Sequence, residues 1–465
     1  MTSSAALTGR VIYPGDPAWD YARKGFCARA DFAANTPQAV VYAQNVADVQ
    51  NTMAWVKANN VPMAIRSGGH SFEGFSSFAK DGVILDLSEI EYVRCSSKET
   101  TATVGAGIDM LQLSEQLCYS GRIIPLATGP SVSLGGFVQG GGFGFASRLQ
   151  GLACDNLIEA ELVLASGDVV RVNENQYDDL FWAIRGGGGG NFGVLTECVF
   201  NTHPAGLVAI AQIGWQWDQF EAVVDAWQKW FPTLPDGMTT LLSLTLDGAG
   251  PQDHKITLYI QYTAPMEELP GFGAMLMPMI QLGPTSISTQ ILPYQIAARL
   301  FFGTDLMNPQ WAIRQHGDDQ LFKSASAVAF KPFPMEAITS MKNWLDKCPP
   351  LSATPSQPSM IQLLGGGGAI SRVPVDATAV YQRDAHFIVQ YDGYWTAPQD
   401  RDPTYNWVVS MREDMIGYAH GAYVNYHDQN LKDPLSDYYG PHVAKLKSIK
   451  AKYDPDGFFK YAQSL

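Results

Sequence analysis

Three short stretches hold the residues best suited to binding chemistry. The first is Arg66-Ser67-Gly68-Gly69-His70-Ser71, where small residues expose successive backbone N–H groups. Such a run can form an anion-binding nest of the kind that cradles a pyrophosphate. The second, residues 129–151, reads GPSVSLGGFVQGGGFGFASRLQG, and the third runs from Gly186 through five consecutive glycines to Asn191-Phe192-Gly193. Chain without Cβ atoms can approach a flat, extended ligand closely. Any one cluster taken alone reads more readily as an ordinary tight turn. Three within one segment point to a single ligand. Residues 129–151 hold too many glycines for a helix or strand interior, so loop-like chain is expected there.

Other chemistries find little support. The eight histidines show no HExxH or other paired-ligand spacing, so no metal site is expected. There is no GxSxG elbow and no Walker A loop, and a GxGxxG pattern occurs only loosely, outside a strand–turn–helix context. The six cysteines (Cys27, Cys95, Cys118, Cys154, Cys198, Cys348) are scattered without a CxxC pair, which suggests neither zinc nor a disulfide framework. With 31 Lys+Arg against 45 Asp+Glu, the net charge of −14 opposes nonspecific binding to nucleic acid or anionic membranes. No run approaches the ~20 apolar residues of a membrane span. The opening MTSSAALTGRVIYPGD lacks a charged start and apolar core, so a cytoplasmic protein is expected.

The elements around these stretches follow from periodicity. Asn45 can cap a helix whose Val49, Met53 and Val56 share one face. The run Val61 to Ile65 reads as a strand that ends directly in the first cluster; Val83 to Leu87 and Thr101 to Val104 read as two more. Ile158 to Leu164 and Val169 to Val172 form a hairpin pattern around Ser166-Gly167-Asp168, and Asp178 to Arg185 is helical before the strand Gly193 to Phe200. Near residue 205 the texture changes to longer strands paired with amphipathic helices. Asp218 with Glu221 can cap a helix presenting Phe220, Val223, Val224 and Trp227. Leu241 to Leu246 and Ile256 to Tyr262 read as an antiparallel pair, followed by a helix near Met335 to Lys347 and strands near Met360 to Leu364 and Phe387 to Tyr391.

In order along the chain, the first cluster, then Gly135-Gly136 with Gly140-Gly141-Gly142-Phe143-Gly144, then Asp179-Leu180-Phe181-Trp182-Ala183-Ile184-Arg185-Gly186 through Asn191-Phe192-Gly193-Val194, resemble the signatures of the berberine-bridge-enzyme-like FAD-linked oxidases. Tyr423-Val424-Asn425-Tyr426-His427-Asp428 and Tyr453-Asp454-Pro455-Asp456-Gly457-Phe458-Phe459 are similar to that family's closing segments. The resemblance implies an α+β, two-domain fold of the PCMH type. Residues 1–205, completed by 420–465, would bind FAD; residues 206–419 would form a substrate domain on a large antiparallel sheet backed by helices.

The resemblance also assigns roles. His70 is expected to bond covalently to FAD. Arg66, Ser67, Gly68, Gly69, Ser71, Val132, Ser133, Gly135, Gly136, Gly140, Gly142, Gly144, Gly193, Val194 and Asn425 are expected to line it. Gly129 stands where many members carry a cysteine that makes a second flavin bond; glycine offers no thiolate, so a single link is expected. Val132 matches the position governing dioxygen access and resembles the oxidase-competent choice. Tyr426 matches the family's base, which requires its phenol to fall well below the usual pKa of about 10. Asn425, if on a strand with Tyr426, would face the flavin. Gln390 is a candidate to position the substrate, or equally a satisfied polar group of a sheet, and Gln362 is a weaker candidate. The implied activity is oxidation of a hydroxylated secondary metabolite or carbohydrate, with dioxygen giving hydrogen peroxide. Oxidative cyclisation and a non-redox flavin-binding scaffold are the alternatives. A monomer or homodimer, with small-molecule partners only, is expected.

Overall fold

The structure is a computed structural model that describes residues 6–26, 35–246, 253–303, 321–355 and 357–465. Cys27 and the turn expected between Leu246 and Ile256, apart from its last residues, lie outside the described residues.

The chain builds three principal sheets. A four-stranded sheet has the order Arg10–Ile12, Ala39–Tyr42, Val83–Asp86, Met63–Arg66, and its last three strands are parallel. Ala39–Tyr42 and Val83–Asp86 are continuous buried runs, as strands covered on both faces should be. The helix Val46–Asn59 follows, with Asn45 accepting the Asp48 N–H at its start and Val49, Met53 and Val56 buried as expected. A five-stranded antiparallel sheet has the order Val93–Arg94, Thr101–Gly105, Val194–Asn201, Leu157–Val163, Val169–Val172.

From Leu207 onward the strands lengthen. Seven of them form one antiparallel sheet in the order Ser286–Pro293, Leu207–Trp215, Lys255–Thr263, Met238–Leu246, Ser359–Gly365, Phe387–Trp395, Leu321–Ala329. One face packs into an apolar core with the helices Phe220–Trp230, Met335–Asp346 and Arg401–Met415. Residues of period two supply that face: Phe387, Val389 and Tyr391 from one strand, Ile361 and Leu363 from its neighbour. The helix Phe220–Trp230 buries the four apolar residues read from sequence, but Asp218 does not cap it. Residues Trp217–Gln219 wind into a 3₁₀ turn first, and no side chain caps the helix.

A second departure concerns the glycine-dense stretch, which is not all loop. Leu134–Gln139 forms a helix and Ser147–Gln150 another turn of one. Leu134, Phe137 and Val138 are buried, so tertiary packing outweighs the helix penalty of Gly135 and Gly136, roughly 1 kcal/mol each. No described helix is long and apolar enough to cross a membrane, and no described group of His, Cys, Asp or Glu could hold a metal ion.

Candidate active site

The fold brings the three glycine clusters together. A Cβ added to Gly68 would lie 2.7 Å from both the backbone N and the Oγ of Ser133, so only glycine permits that approach. Ser67 Oγ and the Gly135 N–H both donate to the Ala106 carbonyl, at 2.7 and 2.9 Å. The third cluster rests on the end of the helix that carries Gly135 and Gly136: the Gly186 and Gly188 N–H groups donate to the Gln139 carbonyl at 2.9 and 3.0 Å. Gly189 passes so near that its added Cβ would sit 3.7 Å from the Gly136 Cα. The C-terminal segment closes the group, since Asn191 Nδ2 reaches Tyr461 Oη at 3.2 Å.

Between these segments the residues fit a flat, anionic cofactor such as FAD. Gly136 is exposed while its helical neighbours are buried, and an added Cβ there meets nothing within 4 Å. Backbone is therefore presented to open space beside Gly189 and Gly190. Ser133 Oγ and Gln139 Oε1 are buried without a hydrogen-bond partner among the described residues. Such orphaned groups are uncommon and costly in a finished interior, which suits a site built around a bound polar group.

His70 is half-buried at the mouth of the first cluster, with Nε2 2.9 Å from Ser131 Oγ and its ring stacked on Phe26 at 4.2 Å. A side chain at Gly129 would meet only Val132 Cγ2, at 3.2 Å, and Gly129 does not adopt the left-handed backbone that demands glycine. Nothing steric therefore excludes a cysteine there.

Several expected cofactor-lining residues also have partners within the protein. The Arg66 guanidinium is fully buried and committed to Asp86 at 2.6 Å and to the carbonyls of Ala22 and Lys24 at 2.7 and 2.8 Å. All three of its guanidinium nitrogens are engaged within the protein, as a buried cation requires. Ser71 Oγ accepts the Phe75 N–H. Gly142 and Gly144 let chain pack against Phe137 and the Leu126 carbonyl, Gly193 lies on the Val163 carbonyl, and Val194 is a buried core residue.

The segment Tyr423-Val424-Asn425-Tyr426 is a turn, not a strand, with the Tyr426 N–H donating to the Tyr423 carbonyl at 2.8 Å. Asn425 consequently does not alternate with Tyr426. Its Nδ2 donates to the Phe137 carbonyl at 3.0 Å and to Tyr423 Oη at 2.9 Å, and Oδ1 fills the space a Cβ of Gly140 would need. Tyr426 stacks on Phe72 at 5.2 Å, two residues from His70, and its hydroxyl bonds to no other described residue. Neither a cation nor a hydrogen bond that would lower its pKa stands beside it among the described residues. Burial raises the Tyr426 phenol above its ordinary value, and Tyr423 and Asp392 push it further.

Strand register places Gln390 directly opposite Gln362 on one side and Ser326 on the other; Gln362 in turn opposes Ser243. These four form a polar row across the sheet face opposite the helices. That face meets the Tyr426 turn, because Ser326 Oγ accepts the Tyr423 N–H at 3.0 Å. The Gln362 side chain bonds to no other described residue, whereas Gln390 Nε2 donates to Asp392 at 2.9 Å. Asp392 is the residue that sequence reasoning missed. It is 3% exposed, and burial pushes its carboxyl up to about 6 against the pull of Ser324 and Gln390. The signal was there: Gln390 and Asp392 are two apart in a strand and so share a face.

A family model described as an FAD binding domain matches residues 37–173, which include His70 and the second glycine cluster. Another, described as berberine and berberine like, matches residues 422–465, which include Tyr426. The chain is 34% identical to an uncharacterised FAD-linked oxidoreductase of Bacillus subtilis, YvdP, over 99% of each chain. It is 28% identical to the chitooligosaccharide oxidase of Gibberella zeae, over 92% of this chain and 87% of that one. The solved structure of Physcomitrella patens BBE-like 1 superposes with a TM-score of 0.87 at 26% identity, covering 98% of this chain and 97% of that one.

Proposed function

The chain belongs to the berberine-bridge-like family of FAD-linked oxidoreductases, and we propose that it oxidises a hydroxyl of a carbohydrate, with FAD held covalently through His70 alone and dioxygen as electron acceptor. Residues 1–205 with 420–465 hold the cofactor in this reading, and residues 206–419 roof it. When bound, the flavin supplies a hydride acceptor that dioxygen can return to its oxidised state, releasing hydrogen peroxide.

The observation that carries the reading is the row Ser243, Gln362, Gln390 and Ser326, with Asp392 beside it, facing the Tyr426 turn. Four strands about 4.8 Å apart offer hydrogen-bonding groups over roughly 14 Å. Gln362 and Gln390 can each donate to and accept from a hydroxyl, which suits a substrate with many hydroxyls better than a flat apolar one. The chitooligosaccharide oxidase among the relatives supports that class.

The proton of the reacting hydroxyl needs an acceptor at neutral pH. Tyr426 is unsuited to hold the negative charge itself, because burial and its acidic neighbours raise its phenol. Asp392, titrating near 6, is a carboxylate at neutral pH and yet basic enough to accept a proton. Tyr426 therefore orients the substrate hydroxyl and Asp392 takes up its proton, while Gln390 fixes the Asp392 carboxylate. Val132, beside Gly129, is assigned to the approach of dioxygen.

Acid precipitation of the purified protein tests the linkage. A yellow pellet and one added FAD mass in wild type, with flavin released from His70→Ala, are expected; yellow supernatant from wild type would refute the covalent bond. Peroxide release is then measured with mono- and oligosaccharides. Failure of every sugar to reduce the flavin would refute the substrate class.

A further inference from the structure

Beneath the aromatic groups of the site lies a buried ion triad. Lys323 Nζ lies 2.7 Å from Glu73 Oε1 and 2.5 Å from Asp428 Oδ1, and the three side chains are 0, 0 and 2% exposed. Each belongs to a different part of the fold. Glu73 follows His70 by three residues, Asp428 follows Tyr426 by two, and Lys323 lies on the edge strand Leu321–Ala329 of the seven-stranded sheet.

Both acidic partners are rigidly coupled to the residue they follow. The Gly74 N–H donates to the Ser71 carbonyl and the Phe75 N–H to Ser71 Oγ, at 3.0 and 3.1 Å, so residues 71–75 form one compact turn behind His70. The Asp428 N–H donates to Tyr438 Oη at 2.9 Å, and Asp428 Oδ1 accepts the Asn430 N–H at 2.9 Å. Arg412 Nε, 4.0 Å from the other Asp428 oxygen, supplies a second positive charge.

The residues next to the triad repeat the connection in apolar form. Phe72 precedes Glu73 and Phe322 precedes Lys323; their rings meet edge to face at 5.3 Å. Phe72 also stacks on Tyr426, and Phe322 contacts Phe26, which stacks on His70. Because adjacent strand residues face opposite sides, Phe322 points to the site and Lys323 to the interior, so one strand grips both segments from two directions.

We propose that Lys323 is a positioning residue: through Glu73 and Asp428 it fixes the distance between the His70 loop, which holds the cofactor, and the Tyr426 turn, which orients the substrate. The inference rests on the proposed roles of His70 and Tyr426. An ion triad suits this task because breaking one arm leaves a buried charge unmatched, so intermediate placements are penalised steeply. A displacement of about 1 Å between reacting groups can slow a reaction by roughly 10²-fold.

The test uses the full-length, FAD-loaded enzyme with D-glucose and chitobiose as probes. It compares wild type, Lys323→Met, and the charge-free triple variant Glu73→Gln, Lys323→Met, Asp428→Asn. Lys323→Met is expected to lower the rate constant of flavin reduction by roughly 10–10²-fold while probe dissociation constants stay within about twofold. The triple variant is expected to be more stable than Lys323→Met, since uncharged replacements can substitute for a buried ion group, though less stable than wild type because Arg412 loses its carboxylate neighbour, and to remain slow. It also serves if Lys323→Met does not fold. Hydrogen exchange without any probe should show residues 71–75 and 423–430 loosening together in the triple variant. A triple variant that reduces at the wild-type rate, or in which only one of the two segments loosens, overturns the proposal. Wild type that is not reduced by either sugar counts against the substrate reading instead, and the exchange result still decides the role of Lys323.

Discussion

Replacing Asp392 with asparagine separates its proposed catalytic role from its effect on stability, and the two should move in opposite directions. Burial moves the Asp392 carboxyl from its ordinary 3.8 to about 6, and at about 1.4 kcal/mol per pH unit its ionisation costs the native state on the order of 3 kcal/mol. Because the native pKa is raised, the folded protein binds this proton more tightly than the unfolded chain. The stability is therefore fully present below about pH 4 and is lost as the pH rises through 6. The amide of the Asp392→Asn variant cannot ionise. That variant should match wild type near pH 4, draw ahead between pH 4 and 6, and hold a constant lead above that. The net shift already includes the pull of Gln390 on the carboxylate, so the lead above pH 6 should be roughly 3 kcal/mol, or about 6–12 °C in Tm for a domain of some 200 residues. The same variant should reduce its flavin roughly 10²–10⁴ times more slowly. In wild type the reduction rate should fall about tenfold per pH unit below 6, since only the carboxylate accepts a proton. Thermal unfolding between pH 4 and 8 and stopped-flow reduction measure both. A lead that does not vary with pH, or a variant that reduces at the wild-type rate, would refute the reasoning.

Three further outcomes are expected. Gly136→Val should leave the cofactor-free protein folded, as open space surrounds the added atoms, but sharply reduce bound flavin; a yellow variant of wild-type stoichiometry would move the cofactor elsewhere. Gly140→Ala should drive Asn425 from its bonds to Phe137 and Tyr423, costing about 1–3 kcal/mol, measurable by denaturant titration. Arg66→Leu removes the charge partner of the fully buried Asp86 carboxylate and should cost about 3–5 kcal/mol even without cofactor. A loss confined to the flavin-loaded form would instead show that Arg66 serves the cofactor.

Local patterns were legible in the sequence because they depend on neighbours along the chain. The Asn45 cap, the period-two burial of Phe387, Val389 and Tyr391, and the hairpin around Gly167 all appear where residue types require them. The glycine clusters were equally plain, since a missing Cβ is itself a sequence fact, and a Cβ at Gly68 would meet Ser133 at 2.7 Å. What the sequence could not decide was how polar groups separated by long stretches of chain are matched. Arg66 was expected only to line the cofactor, and the sequence did not show that its donors reach Asp86, Ala22 and Lys24. Asn425 looked like a strand residue until its segment closed into a turn on Phe137. Tyr426 called for a lowered phenol pKa, and the fold supplied the Asp392 carboxylate instead, whose basicity comes from burial. Desolvation and partner matching are properties of the packed molecule. Residue types and their spacing determined which elements form and where a cofactor could lie; only tertiary packing decided which side chains remain available for chemistry there.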